Sequence, residues 1–517
     1  MESSLRKTEV SSKTPDMTIE ELRAVHELYS MFKDEWDFLY AAYEGARALV
    51  RAGHLIQHER ETTENYEKRK NQAFGFNYTQ SIVDVLNFYL FKKSVKRTLP
   101  EKVSNDPIYK MFEEDCNLEA DGMDEYLAEV SRLASIMGLT GVLVDKAGVA
   151  LDSRADQIRN RVHPYLSTFF PQAILDWKIG KDEFSRPVLE MVKLLQDDGT
   201  FLIWYPDQFE IWQVPVNEKG EPLTEKEKAE LVKAVTHPLG IIPFIFVINK
   251  KWKKRPIGKS DVADIARIDV SIIRNLSQGE EIIDYQAFPM MRKPFLEARP
   301  DEQVDAQDEV GPTAVLGFDP DNPDAKPDWL ESEVSDPLEA IKEWIINKIN
   351  EIYRTSNIGG MQSTEGSNQV ESGVALQTRF QMLNATLVRK AIILEKVEKQ
   401  VYNMFYLWEW PDSARNYIEE TLIERDRTYD VENLSEDLEN IITSKTIVKS
   451  KTFDSMLQKK TVRKLLPSYT DAQLKDIDDE IDESIEKQEE ESDYNPFDEL
   501  KVDEQQPNEN DTEDEED

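Results

Sequence analysis

Five histidines and one cysteine are the whole supply of imidazole and thiol in this chain, so metal and nucleophilic chemistry have few places to start. His54 and His58 lie four apart, a spacing by which one helix face offers two metal ligands. No Glu follows His54, and no third ligand is evident, so they read as surface histidines. The stretch Gly359 to Gly373 is glycine-rich but lacks the Gly-Lys-Ser/Thr ending that holds a nucleotide phosphate, and reads as a flexible loop. Asp319, Asp321 and Asp324 alternate like calcium-loop ligands, but two prolines among them and no downstream bidentate Glu favour a turn. Lys250-Lys-Trp-Lys-Lys-Arg255 is the one basic run; its spacing would suit phosphates or an acidic neighbour, and a solvated linker is the preferred reading. No catalytic constellation converges. The expectation is a protein that is not an enzyme, with no cofactor and no metal.

Charge is the dominant feature: 63 basic against 102 acidic residues, a net of -39. From Asp476 to Asp517 there are 22 acidic residues and two lysines, leaving that stretch at -20 and the rest at -19. So acidic and apolar-poor a tail is expected to be disordered. An acidic body argues against tight nucleic-acid binding, which needs cationic phosphate contacts. It suits a surface past which DNA must slide, because it repels phosphates. A lone Cys116 excludes an intrachain disulfide framework and fits a reducing compartment. No apolar run reaches the ~18 residues of a membrane span, and the opening residues lack the apolar segment of a secretory signal.

The elements that would position these residues change character along the chain. From about Ile19 to Leu99 the pattern is helical: Ile19, Leu22, Val25, Leu28, Tyr29 and Phe32 keep 3-to-4 spacing, and Gln80 to Phe91 is amphipathic. Met123 to Met137 is a further helix, broken by Gly138, and Gly141 to Asp145 is a short buried strand. Strands are expected over Ala173–Ile179, Pro187–Leu195, Phe201–Tyr205, Phe209–Val214 and Gly240–Val247, the last at a sheet edge because of its proline. Asp261 to Tyr285 is helical, with Ile265, Ile268, Ile272, Leu276 and Ile283 in phase. A Pro, Gly and Asp-rich stretch with short strands such as Thr313–Gly317 follows. A second helix starts at Asp336-Pro337, an N-cap followed by proline at the first helical position, with a seam of Leu338, Ile341, Ile345, Ile349 and Ile352. These two helices with the irregular stretch between them form a hairpin carrying a head. A polar loop, Ser356 to Gln369, leads into a helix from about Glu371 to Trp410, roughly 60 Å long at 1.5 Å per residue. Small helices, clearest at Thr461–Leu466 and Asp471–Ile481, complete the chain.

This order resembles the portal proteins of tailed bacteriophages. Gln80-Ser-Ile-Val-Asp-Val-Leu-Asn-Phe-Tyr-Leu-Phe91 resembles the early part of their wing domain. Glu343-Trp-Ile-Ile-Asn-Lys-Ile-Asn-Glu-Ile-Tyr-Arg354 with Ser372-Gly-Val-Ala-Leu376 resembles the second stem helix and the entry to the long helix. Asp430-Val-Glu-Asn-Leu to Ile447, then Thr461-Val-Arg-Lys-Leu-Leu-Pro467, resembles the family's C-terminal pattern. The likeness runs from about Ile19 to Glu483, is nearest to the Bacillus siphophage type, and does not extend residue by residue through the clip. It implies an α+β, mainly helical portal fold assembled as a ring: wing 1–257, stem helices 258–287 and 336–355, clip 288–335, tunnel loop 356–371, long wing/crown helix 372–410, crown 411–483 and acidic tail 484–517. It also implies a homo-oligomer of about twelve copies at one capsid vertex of the virion, assembled in the host cytoplasm, with no membrane contact. Its partners would be double-stranded DNA, terminase, major capsid and scaffolding proteins and a head-tail adaptor. Asn357, Gln362, Ser363, Thr364, Ser367, Asn368 and Gln369 would line the channel. Ile265, Ile268, Ile272, Leu276, Ile341, Ile345 and Ile349 would form the stem, their apolar faces covered by neighbouring copies. The alternative is a non-portal structural scaffold or adaptor oligomer.

Overall fold

The computed structural model describes residues 8–59, 61–148, 153–217, 224, 226–253, 256–287, 290–292, 328–330, 335–356, 373–427, 429, 455–456, 458–459, 462 and 474–484. The chain divides into two compact units, Met1–Tyr429 and Asp430–Asp517. The first is α+β and mainly helical. It contains the helix Ala414–Glu420 and the strand Leu422–Glu424, so residues 411–429 group with the body rather than with the small C-terminal helices. In the second unit, residues 474–484 are helical, and Asp482 there accepts from Ser455 Oγ at 2.6 Å and Lys459 Nζ at 2.5 Å.

The expected first helix is two. Ile19–Arg23 starts with a capping box, in which Thr18 and Glu21 satisfy each other's backbone N–H groups. The chain then breaks, and Glu27–Glu44 begins with His26 accepting from Leu28 N. Periodicity does not reveal this break because neither glycine nor proline marks it; distant groups do. Lys193 Nζ donates to the carbonyl oxygens of Glu21, Leu22 and Ala24 at 3.1, 3.0 and 2.5 Å, ending the short helix. His26 stacks on Trp177 with ring centroids 4.1 Å apart, fixing the start of the next. Met123–Met137 is a helix closed by Gly138 at φ +83. A Cβ at Gly138 would meet the Gly258 carbonyl oxygen at 2.6 Å, so glycine here serves a close backbone approach as well as a turn.

Two antiparallel sheets carry the rest of the core. In the six-stranded sheet the order is Thr8–Glu9, Glu230–Thr236, Gln208–Gln213, Phe201–Trp204, Pro187–Leu195, Ile174–Lys181. From Ile174 to Thr236 its neighbours follow chain order, as short antiparallel connections allow. Trp177, Trp204 and Trp212 are buried in it. In the three-stranded sheet Leu139–Lys146 lies between Phe244–Ile248 and Pro164–Phe169, and its first six residues are all buried. Phe244–Ile248 is an edge strand, as Pro243 before it requires, and the Pro243 carbonyl oxygen accepts from Val144 N at 2.8 Å. The strand Glu230–Thr236 escaped the sequence pattern because Glu230, Lys233 and Val232 are exposed and the alternation is blurred. Lys96–Thr98 pairs with Leu422–Glu424, tying the segment after the Tyr78–Phe91 helix to the segment after the long helix.

The helices Ala263–Ala287 and Ser335–Ser356 form an antiparallel hairpin. Lys348 reaches Ser271 and Asn275 across it. Met290–Arg292 pairs antiparallel with Asp328–Leu330, Met290 opposite Leu330. The strand expected at Thr313–Gly317 lies outside the described residues. Gly373–Glu409 is the long helix, 37 residues, ending before Pro411.

Candidate functional site

Among the described residues, those suggestive of chemistry do not gather. His54 and His58 follow the end of the Ala46–Arg51 helix and share no helix face. Burial, then the Arg274 guanidinium, lowers the His54 pKa, and its ring meets Phe38 edge-on. Among the described residues no group of three or more His, Cys, Asp or Glu could hold a metal ion, and no helix is long and apolar enough to cross a membrane. The Cys116 thiol is buried, and that burial, with Asp121 and Asp115 nearby, pushes its pKa up to about 12, the opposite of an activated nucleophile. Asp319, Asp321 and Asp324 lie outside the described residues, as do the expected channel-lining residues Asn357, Gln362, Ser363, Thr364, Ser367, Asn368 and Gln369.

The basic run is more than a linker. Lys250 Nζ pairs with Asp261 at 2.7 Å, its carbonyl oxygen accepts from Lys259 N at 3.0 Å, and Trp252 packs edge-on against Phe32. Asp261 also pairs with Lys390 of the long helix at 2.5 Å. Lys390, 5% exposed, further donates to Ser135 Oγ at 2.7 Å and Asn249 Oδ1 at 2.5 Å. Burial pushes the Asp261 carboxyl up, and the Lys390 and Lys250 ammonium groups more than reverse it, so its pKa lies below the ordinary carboxylate range.

Two further buried charges fasten the long helix. Glu398, fully buried, accepts from Arg97 Nε at 2.5 Å and Arg425 at 2.8 Å; Arg97 also donates to Asp124. Glu409 accepts from Lys146 at 2.6 Å and Arg154 at 3.4 Å. Each charge engages segments remote in sequence, so the helix is located along its length by three separate ionic contacts. Apolar residues Leu383, Leu387, Ala391, Leu394, Val397 and Val401 of the same helix are buried as well.

The hairpin is held differently. Of the expected stem residues, Ile265, Ile272 and Ile345 are buried, while Ile268, Leu276, Ile341 and Ile349 are half-buried against the same core. Their seam is covered from within the chain: the first hairpin helix packs on Glu27–Glu44 and Tyr78–Phe91. This departs from the expectation that neighbouring copies cover it, because the N-terminal helices lie against the hairpin base. Asp269, 1% exposed, accepts from Thr79 N at 3.0 Å and Thr79 Oγ1 at 2.9 Å at the start of Tyr78–Phe91. With no cation beside it, burial raises its pKa. Tyr353 meets Tyr78 edge-on, centroids 5.9 Å apart.

Coverage fades away from that base. Ile283 is 47% exposed, Trp344 56% and Ile346 42%. Lys348 donates to Ser271 Oγ at 2.7 Å and to Asn275 Oδ1, both neutral acceptors, and burial lowers its pKa. Its ammonium sits 5.3 Å from the Trp344 ring centroid. Sequence periodicity identified the seam but could not separate covered positions from open ones. The unmatched Lys348 was missed altogether, although a lysine in a stripe of isoleucines was a visible signal.

No family model matches the chain, and no curated protein matches it. Solved structures similar to it include the virion of a native gene transfer agent particle, at 9% identity and TM-score 0.39, covering 80% of this chain and 98% of that one. The neck of an empty gene transfer agent particle, computed with C6 symmetry, has 10% identity and TM-score 0.39, with coverages of 80% and 98%. The neck of the native particle, computed with C12 symmetry, has 9% identity and TM-score 0.36, with coverages of 73% and 89%. At these scores the likeness fixes neither the fold nor the function of this chain.

Proposed function

We propose that this chain is a portal-type subunit of a tailed bacteriophage, a structural protein that forms a closed ring around a DNA channel. The observation that carries the reading is the helix hairpin: packed at its base on the body, with a two-stranded antiparallel ribbon between its helices in sequence, and bearing exposed apolar side chains farther out. An exposed apolar helix surface points to a partner, and many copies of one chain satisfy it through a rotational ring. The order of the described elements agrees, with the hairpin and then a long buried helix following an α+β region, and the sequence between them is polar. So does the charge outside the tail, -19, which gives duplex DNA no adhesive wall.

In this reading the ring sits at one capsid vertex of the virion. Terminase drives double-stranded DNA inward through it, the ring retains the genome, and the DNA later leaves through the tail. The loop Ser356 to Gln369 faces the passing DNA; without lysine or arginine it offers hydrogen bonds and no strong phosphate trap. Capsid, scaffolding and adaptor proteins meet the outer surface.

Mass measurement and electron microscopy of the purified full chain test the ring. A ring with an open bore is expected; a 59.9 kDa monomer at every concentration refutes it. Elongated low-order oligomers without a bore would instead favour a scaffold or adaptor. Arginine in place of Asn368 is expected to slow packaging, and normal packaging by that variant removes the loop from the channel.

A further inference from the structure

Trp344 and Ile346 are two residues apart, which places them about 200° apart around the helix axis, and both are open to solvent. One neighbour cannot cover both. The two flanks also differ in charge. Lys348, four residues after Trp344, shares its flank, and among the described residues its acceptors are Ser271 and Asn275; Glu351 on that side is engaged by Arg354 at 2.5 Å. On the other flank Glu339 and Glu343 precede Ile346 by seven and three residues, one helix face. Both are exposed, and they outnumber the exposed Lys342 beside them. One flank is an indole backed by a cation, and the other is an isoleucine bordered by carboxylates.

We propose that these flanks are the two halves of one interface: Trp344 and Lys348 of each copy seat against Ile346 and Glu343 of the next. The occupant is a second copy of this chain because the second half of the match is carried by the same helix, at the same height. Rotation about a ring axis moves no residue along that axis, so residues two apart on one helix can meet across the contact. The halves are unlike, so the contact is heterologous: each pairing leaves one free flank of each kind, and association continues until a ring closes. Burying the indole supplies most of the attraction, and the carboxylate gives the Lys348 ammonium an anionic partner that the described residues of its own chain do not place there. This inference rests on the ring reading and adds the pairing that sets its direction.

The test is a double cysteine variant, W344C/I346C, in the full chain. The two sulfurs point away from each other within one helix and cannot join, and Cys116 is buried. Mild oxidation of the assembled protein is expected to give a ladder of linked chains ending at the copy number of the ring. Rings without links overturn this interface and leave the ring reading standing. Absence of any oligomer from the reduced wild type overturns both. Trp344→Ala should raise the concentration at which half the chains assemble by on the order of tenfold, with unchanged circular dichroism. Lys348→Met should reduce the sensitivity of assembly to salt, which screens the proposed ion pair. Unchanged assembly by the folded Trp344→Ala variant also counts against the interface.

Discussion

The long helix and the hairpin helices share one sequence pattern, an apolar stripe with charges between, yet the body treats them in opposite ways. Gly373–Glu409 brings Lys390, Glu398 and Glu409 into the interior and gives each a partner of opposite sign. Ser335–Ser356 buries Ile345 and Ile352 but leaves Trp344 and Ile346 outside, with Lys348 against neutral oxygens. A buried ion pair offsets a large desolvation cost only where geometry is good, and breaking it strands a charge. Such contacts therefore specify one placement of the long helix more than they add stability. Among the described residues the hairpin shows no buried ion pair beyond its base, which leaves its outer part for another surface to define.

The contrast can be broken first at Glu398. Glu398→Ala leaves Arg97 and Arg425 buried without their shared carboxylate, and a loss of about 3–5 kcal/mol is expected by chemical denaturation. A loss below about 1 kcal/mol would mean that water or Asp124 satisfies the arginines and that the helix is not pinned there. Lys390→Met should cost about 3 kcal/mol, because Asp261 keeps Lys250. Adding Asp261→Asn should recover much of that loss, a coupling a double-mutant cycle reads directly.

Asp261 and Asp269 sharpen the comparison through pH. The Asp261 pKa is lowered by its lysines, so its stabilisation is present above the unfolded carboxylate pKa and is lost as pH falls through the folded value. The Asp269 pKa is raised by burial. Its folded form holds the proton more tightly, so its contribution is greatest at low pH and falls as pH rises through the folded value. Denaturation across the acid range should therefore show slopes of opposite sign removed by Asp261→Asn and Asp269→Asn, and slopes of one sign would overturn the assignment. The smallest effect on the fold is expected at Trp344→Ala, about 0.5 kcal/mol or less in the unassembled chain. A larger loss would show that the indole belongs to the core of its own subunit.

Local signals marked most elements. Met123–Met137 is bounded as its pattern and Gly138 predict, Pro243 precedes an edge strand, and the helix expected to be capped by Asp336 begins one residue earlier, at Ser335. The break between Arg23 and Glu27 was illegible because Lys193 and Trp177, both more than a hundred residues away, make it. Of the candidate site, the seam residues could be read from spacing, but which of them would be covered could not. That depended on Glu27–Glu44 and Tyr78–Phe91 reaching the hairpin base and not its outer part.

The sequence by itself determined helix phase, turn positions, the scarcity of histidine and cysteine and the concentration of negative charge toward the end, because each depends on composition or on neighbours within a few residues. Tertiary structure alone decided which charges are buried, which partners neutralise them and which flanks of one helix stay open. Those outcomes depend on desolvation and opposite charge supplied from remote segments, and a one-dimensional pattern carries no record of who arrives at that distance.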